Sequence, residues 1–336
     1  MPEDKHKRPK IDENITDKSP DSYSEKLLLL ESEIKKVIIG HESAIRELII
    51  AFAAGGHVLL EGVPGIAKTL LVKTLSECTG CNFSRIQFTP DLLPADITGT
   101  KIYRFEKSSF ETVKGPVFSN IILADEINRA PPKVQSALLE AMQEKQVTIQ
   151  GDRHGITPPF FVLATQNPIE SEGTYPLPEA QTDRFMLKLM MNYPSKEEEI
   201  QIIRNFTGGI SPSPEKIIDN SGILEIQSEI RKIYCGSPVE NYAAEIVDST
   251  RHPEKYGITH KDYIEFGASP RASISLILSA KAKAMMEKRD YVIPDDLREM
   301  ARPVLRHRII LNYKAEADGI STEEIIDEIL LKVKIP

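Results

Sequence analysis

The sequence has little of what would tie it to an oxidising compartment, a membrane or nucleic acid. Only three of its 336 residues are cysteine: Cys78, Cys81 and Cys235. An odd and sparse set cannot build a disulfide scaffold and suits a reducing compartment. Cys78 and Cys81 form a C-x-x-C, but no second pair or nearby histidine completes a zinc set, so ordinary packing is expected of both. The seven histidines are scattered singly, without ligand spacing. No apolar run approaches the roughly 20 residues needed to span a bilayer. Positive charge is not in excess either: 42 Lys and Arg face 50 Asp and Glu, a formal net charge of −8. Phosphate neutralisation supplies most of the affinity for nucleic acid, so no nucleic-acid partner is expected. The opening "MPEDKHKRPKIDENITDKSPDS" is charged and lacks the apolar core of a signal peptide. Residues 1–20 read as a disordered tail, and the protein as cytoplasmic.

What is there is the composition of a globular protein, 40% hydrophobic and 27% charged, with length for about two domains. The runs "HVLLEG" (57–62), "SRIQF" (84–88), "NIILADE" (120–126), "FFVLATQN" (160–167) and "RFMLKL" (184–189) read as buried strands. Near-continuous apolar strands separated by helices predict an α/β fold, a parallel sheet covered on both faces. "PPKVQSALLEAMQE" (131–144) is one such helix, with prolines at its start and Val134, Leu138, Ala141 and Met142 on one face. Two stretches interrupt the alternation: a short helix plus a hairpin between Pro90 and Gly115, and a second hairpin between Lys145 and Pro159. After Tyr193 the character becomes helical. "PSKEEEIQIIRNF" opens with acids in its first turn, "GGISPSP" (208–214) is a loop, and helices follow at 239–251, 270–288, 295–307 and 322–333. Ser321 and Glu324 have capping-box spacing. The expected domains are a nucleotide-binding core over 21–193 and an all-α lid over 194–336.

The residues that carry chemistry begin at "EGVPGIAKTL". The phosphate-loop pattern G-x-x-x-x-G-K-[S/T] fits except that Ala67 replaces the second glycine. The loop lies between a strand and a helix, where backbone N–H groups and the helix N-terminus can cradle phosphates. Gly62, Val63, Pro64, Gly65, Ile66, Ala67, Lys68, Thr69 and Leu70 would form the cradle. Lys68 would reach the β/γ-phosphates, and Thr69 would ligate Mg²⁺. An alanine opening the helix in a right-handed conformation costs nothing, so the substitution is expected to be neutral. "IILADE" ends a strand in Asp125 and Glu126. Asp125 can hold Mg²⁺ and Glu126 can polarise the attacking water. Asn167 follows a strand that should lie beside both, and its amide could orient that water.

Together, "EGVPGIAKT", "FTPDLLPADITGT", "LADEINRAPPKVQSALLEAMQE", "ATQNPIESEGTYPLPEAQTDRF" and "SPRAS" resemble the MoxR group of AAA+ ATPases, over about residues 25–333. The group usually shows alanine in this phosphate loop. The resemblance implies ATP and Mg²⁺ as ligands, with Lys68 and Thr69 as the Walker A pair, Asp125 and Glu126 as the Walker B pair and Asn167 as sensor 1. It implies that Arg184, in "EAQTDRF", is an arginine finger reaching a neighbouring copy's γ-phosphate. Arg271, in "SPRAS", matches sensor 2, and Ser269 and Pro270 suit the start of its helix. Ile39 and Gly40, in "VIIGHESAI", match the adenine-edge segment, with His41 where the wider superfamily often has Gln. Arg129 could serve a neighbour or a hairpin. The two interruptions match the helix-2 insert (about 91–114) and the pre-sensor-1 hairpin (about 145–158), elements that commonly transmit nucleotide state to a client. Further implications are a homo-oligomeric ring, hexameric, a protein client whose maturation or metal-cofactor insertion is assisted, and a von Willebrand factor A domain partner. Alternatives are a chelatase-type motor subunit, a DNA-working motor or a nucleotide-gated scaffold with little hydrolysis.

Overall fold

A computed structural model describes residues 20–167, 173–208 and 212–336. The tail expected over 1–20 falls outside the described residues except for Pro20, which already begins a helix. So does part of the 208–214 loop.

In chain order the first part comprises α1 (Pro20–Val37), α2 (Glu42–Ala54), β1 (Val58–Gly62), α3 (Lys68–Thr79), β2 (Phe83–Gln87), α4 (Pro94–Thr98), β3 (Gly99–Arg104), β4 (Ser109–Lys114) and β5 (Ile121–Asp125). It continues with α5 (Pro132–Glu144), β6 (Gln146–Ile149), β7 (Asp152–Gly155), β8 (Phe161–Gln166), α6 (Glu179–Thr182) and β9 (Leu187–Met191). Five strands form one parallel sheet in the order β2-β5-β8-β1-β9. Alternate residues of each central strand enter opposite cores. Val58 and Leu60 of β1 pack with α1–α3, while Leu59 joins Ile122, Ala124, Val162 and Ala164 against α5. Burial on both faces is why these strands read as unbroken apolar runs. The two interruptions are the hairpins β3–β4, preceded by α4, and β6–β7.

The "RFMLKL" strand begins later than its apolar pattern suggests, at Leu187. Residues 183–186 form a turn in which Arg184 and Phe185 donate N–H bonds to Gln181 and Thr182.

The second part comprises α7 (Lys196–Thr207), α8 (Asn220–Lys232), α9 (Ser237–Arg251), β10 (Ile264–Phe266), α10 (Pro270–Met286), α11 (Pro294–Leu305), β11 (Ile310–Leu311), α12 (Tyr313–Asp318) and α13 (Thr322–Lys332). Helix α8 escaped the periodicity reading, although Asp219 caps it and Ile223, Ile226 and Ile230 share its buried stripe. Ser195, Ser269 and Ser321 each accept a backbone N–H at a helix start, and Glu198 and Glu324 complete capping boxes. One apolar cluster runs from α1, α2 and one sheet face into α8–α11 and α13, so the helical part is packed onto the α/β core. Among the described residues no helix is long and apolar enough to cross a membrane.

Candidate active site

Sheet register brings the sequence-predicted residues to one edge. Gln87 of β2 faces Asp125 of β5, and Leu60 and Glu61 of β1 face Thr165 and Gln166 of β8. The loop after β1, the acids after β5 and Asn167 after β8 therefore emerge side by side at the carboxyl ends of the strands, where open α/β sheets bind ligands. They line a cleft of about 450 Å³ with Pro64, Gly65, Ile66, Ala67, Lys68, Thr69, Leu70, Asp125, Glu126 and Asn167 on its walls. Arg85 of β2 lines it too. Sequence reasoning missed it, because "SRIQF" reads as a buried strand and the edge position of β2 follows only from the strand order.

The loop's conformation explains most of its composition. A Cβ on Gly62 would come within 2.7 Å of the Met191 carbonyl, so only glycine lets β1 end against β9 here. Gly65 has φ +83°, open to glycine without strain. Ala67 corrects the expectation of a right-handed residue: its φ and ψ are 61° and 23°, left-handed, at the cap of α3. The chain must reverse there to enter the helix, and a Cβ in that region costs about 1–2 kcal/mol. Ala67 is therefore tolerated at a cost, not neutral. Lys68 Nζ donates to the Gly62 carbonyl. Burial lowers the ammonium's pKa, and Asp125, Glu126 and Glu61 act against that shift.

The two acids are held firmly. Thr165 Oγ1 donates to Asp125 Oδ1 at 2.6 Å and accepts the Glu126 N–H at 2.9 Å, so one hydroxyl orients both. Arg85 reaches Asp125 Oδ2 through Nε at 3.1 Å and Nη2 at 2.6 Å, and its Nη2 also donates to Gln87 Oε1. Glu126 is left-handed, with φ 55°, and its Oε2 accepts from Gln87 Nε2 and Arg129 Nη1. The Thr69 hydroxyl and the Asp125 carboxylate are hard oxygen donors in one cleft, which suits Mg²⁺. The left-handed Ala67 followed by the N-terminus of α3 suits a phosphate chain.

Arg184 and Arg271 are not among the residues lining that cleft. Both line a second cleft, with Gly55, Gly56 and Arg308. Arg184 Nη1 donates to the Leu139 carbonyl at 2.8 Å, and Arg271 Nη1 lies 3.5 Å from Asp183. Ile39, Gly40 and His41 are not among the residues lining that cleft. Gly40 and His41 are left-handed, and a Cβ on Gly40 would touch the Glu198 carboxylate in the first turn of α7. Cys78 and Cys81 are buried thiols, and burial pushes Cys78 up to about 12.

Comparison with known proteins agrees with this geometry. Residues 57–187 match the model of the ATPase family associated with various cellular activities (AAA), and residues 258–329 match the AAA lid domain. Chaperone MoxR1 of Mycobacterium tuberculosis is 48% identical over 90% of this chain and 81% of its own length. Protein MoxR of Methylorubrum extorquens is 31% identical over 84% and 86% of the two chains. The crystal structure of a Cytophaga hutchinsonii protein described as an ATPase candidate superposes with a TM-score of 0.89 at 52% identity, covering 94% of this chain and 97% of that one. A phosphate cradle, two aligned acids and relatives of this closeness lead to one conclusion: the chain belongs to the MoxR family of AAA+ ATPases and hydrolyses ATP.

Proposed function

We propose that this ATPase works as a ring of identical copies, hexameric, in which each nucleotide is held by one copy and completed by the next. The observation that carries the reading is the separation of the charges. Lys68, Asp125, Glu126 and Asn167 line one cleft, whereas Arg184 and Arg271 line another. Arg271 is about half exposed, with its side chain 49% accessible. An arginine held away from its own chain's phosphates can contribute to turnover if it faces those of a neighbour.

Within one junction, Lys68 and the loop amides would bind the β/γ-phosphates of ATP, and Thr69 and Asp125 would hold Mg²⁺. The metal would supply charge neutralisation at the phosphate oxygens. Glu126 would accept a proton from the attacking water, and Asn167 would fix that water's position. The guanidinium groups of the adjoining copy would stabilise charge on the transferred phosphoryl group, an effect worth about 10³–10⁵ in rate.

The ring's work would be remodelling of a protein client during maturation or assembly of a complex, with a von Willebrand factor A domain protein as partner. Relatives named as a chaperone and as MoxR support that direction. A supporting feature of this chain is the β3–β4 hairpin. Phe105 is 86% exposed and Phe110 70% exposed, and both pack edge-on against Tyr103 at 5.2 and 5.3 Å. Exposed aromatic clusters of this kind mark protein-binding surfaces. The deciding experiment is Arg184→Ala. Nucleotide affinity should stay within about twofold while turnover falls about 10³-fold, and wild-type activity per subunit should decline on dilution. Wild-type turnover in the variant, or activity indifferent to dilution, would remove the ring reading.

A further inference from the structure

Arg308 lies outside every motif, yet it is the most heavily engaged side chain near the second cleft. Its side chain is 2% exposed, and its guanidinium donates to six acceptors. Nε reaches Asp183 Oδ1 at 2.8 Å. Nη1 reaches the carbonyls of Met186 and Val304. Nη2 reaches the carbonyls of Asp183 and Phe185, at 3.2 and 2.7 Å, and Ser275 Oγ at 3.2 Å. The carbonyls of residues 183, 185 and 186 flank Arg184 on both sides. One side chain from the helical part thus fixes the backbone from which the proposed finger projects.

The carboxylate of Asp183 carries the same constraint to Arg271. Oδ1 faces Arg308, while Oδ2 accepts from Ser269 Oγ at 2.8 Å and lies 3.5 Å from Arg271 Nη1. Burial works against the charge on Arg308, and Asp183 opposes that shift, so the pair needs both members. The six-acceptor set also demands arginine. Lysine brings three donors from a single point and cannot span carbonyls on both sides of a turn.

We infer that Arg308, through Asp183 and the 183–186 carbonyls, is a positioning residue that presents Arg184 and Arg271 as one rigid pair to the nucleotide of an adjoining copy. The inference rests on the across-junction reading above. Its role is not to bind the chain's own nucleotide, because Arg308 is absent from the cleft that holds Lys68.

The test is turnover in mixtures of full-length proteins. Arg308→Lys alone should keep the affinity for a slowly hydrolysed ATP analogue within about twofold, since its own cradle is intact, and lose at least tenfold in turnover. Mixed with Glu126→Gln, which hydrolyses nothing but has an intact arginine pair, the Arg308→Lys copies should regain activity severalfold above either protein alone. Arg184→Ala mixed with Glu126→Gln should do the same. Asp183→Asn, which keeps the shape and one acceptor, is the second variant and should follow the same pattern should Arg308→Lys fail to fold. Recovery in the Arg184→Ala mixture without recovery in the Arg308→Lys and Asp183→Asn mixtures overturns the positioning role while sparing the across-junction reading. Wild-type turnover in Arg308→Lys alone overturns it as well. No recovery with Arg184→Ala removes the across-junction reading and this inference together.

Discussion

The carboxylate of Glu126 is gripped from two sides, by Gln87 Nε2 at 2.8 Å and by Arg129 Nη1 at 3.0 Å, both on Oε2. A donor seated on a carboxylate oxygen must leave before that oxygen can accept the attacking water's proton. Gln87→Ala removes one such donor without touching the phosphate cradle. One hydrogen bond is worth about 1 kcal/mol, close to fivefold. Basal turnover should therefore rise about fivefold with ATP affinity unchanged. A fall in turnover, measured by phosphate release at saturating ATP, would show instead that Gln87 holds Glu126 in its working orientation.

Arg85 occupies Oδ2 of Asp125, and its side chain is 47% exposed. An exposed pair of this kind contributes about 0–1 kcal/mol, so Mg²⁺ binding at Asp125 need displace only a weak competitor. Arg85→Ala should lower the Mg²⁺ concentration for half-maximal turnover by about two- to fivefold. A magnesium titration that shifts the other way would assign Arg85 to phosphate binding.

The left-handed Ala67 sets up a stability test. Glycine relieves about 1–2 kcal/mol of backbone strain but frees the unfolded chain by about 0.4–1 kcal/mol. Ala67→Gly should leave stability equal or raised by up to about 1.5 kcal/mol, with turnover retained. A denaturant midpoint that falls, with activity lost, would mean the Ala67 methyl group makes a contact that matters when nucleotide binds.

Glu47 of α2 is half-buried, and burial raises its pKa to about 7 from 4.5, with Arg306 opposing the shift. The folded state therefore holds this proton over a window in which the unfolded chain has released it. Stability contributed here is present below about pH 4.5 and declines as pH rises toward 7. Glu47→Gln should be nearly silent at pH 4 and stabilising at pH 8, by about 2 kcal/mol after allowance for residual solvent contact. Thermal melts at the two pH values measure it, and equal shifts would contradict the buried-acid account.

Much of the site was legible because its parts are local. The phosphate loop, Asp125 with Glu126, and Asn167 each sit at the end of an apolar strand, and a strand's end is readable from its own few residues. The capping boxes at Ser195 and Ser321 are equally local. Where the reading failed, the cause lay elsewhere in the chain. Ala67's handedness follows from the path needed to enter α3, and the late start of β9 accompanies the turn that Arg308 grips from more than a hundred residues away.

By itself the sequence determined the strands of the main sheet, the residue types of the candidate site and the family, because apolar period and motif spacing are properties of short segments. Only the tertiary structure decided that Arg85 lines the acids' cleft, that Gln87 donates to Glu126, and that Arg184 and Arg271 lie together on another cleft. Those placements depend on strand order and on a buried guanidinium bridging the two parts of the chain. Neither leaves a mark in local pattern, since each arises from pairings between segments far apart in sequence.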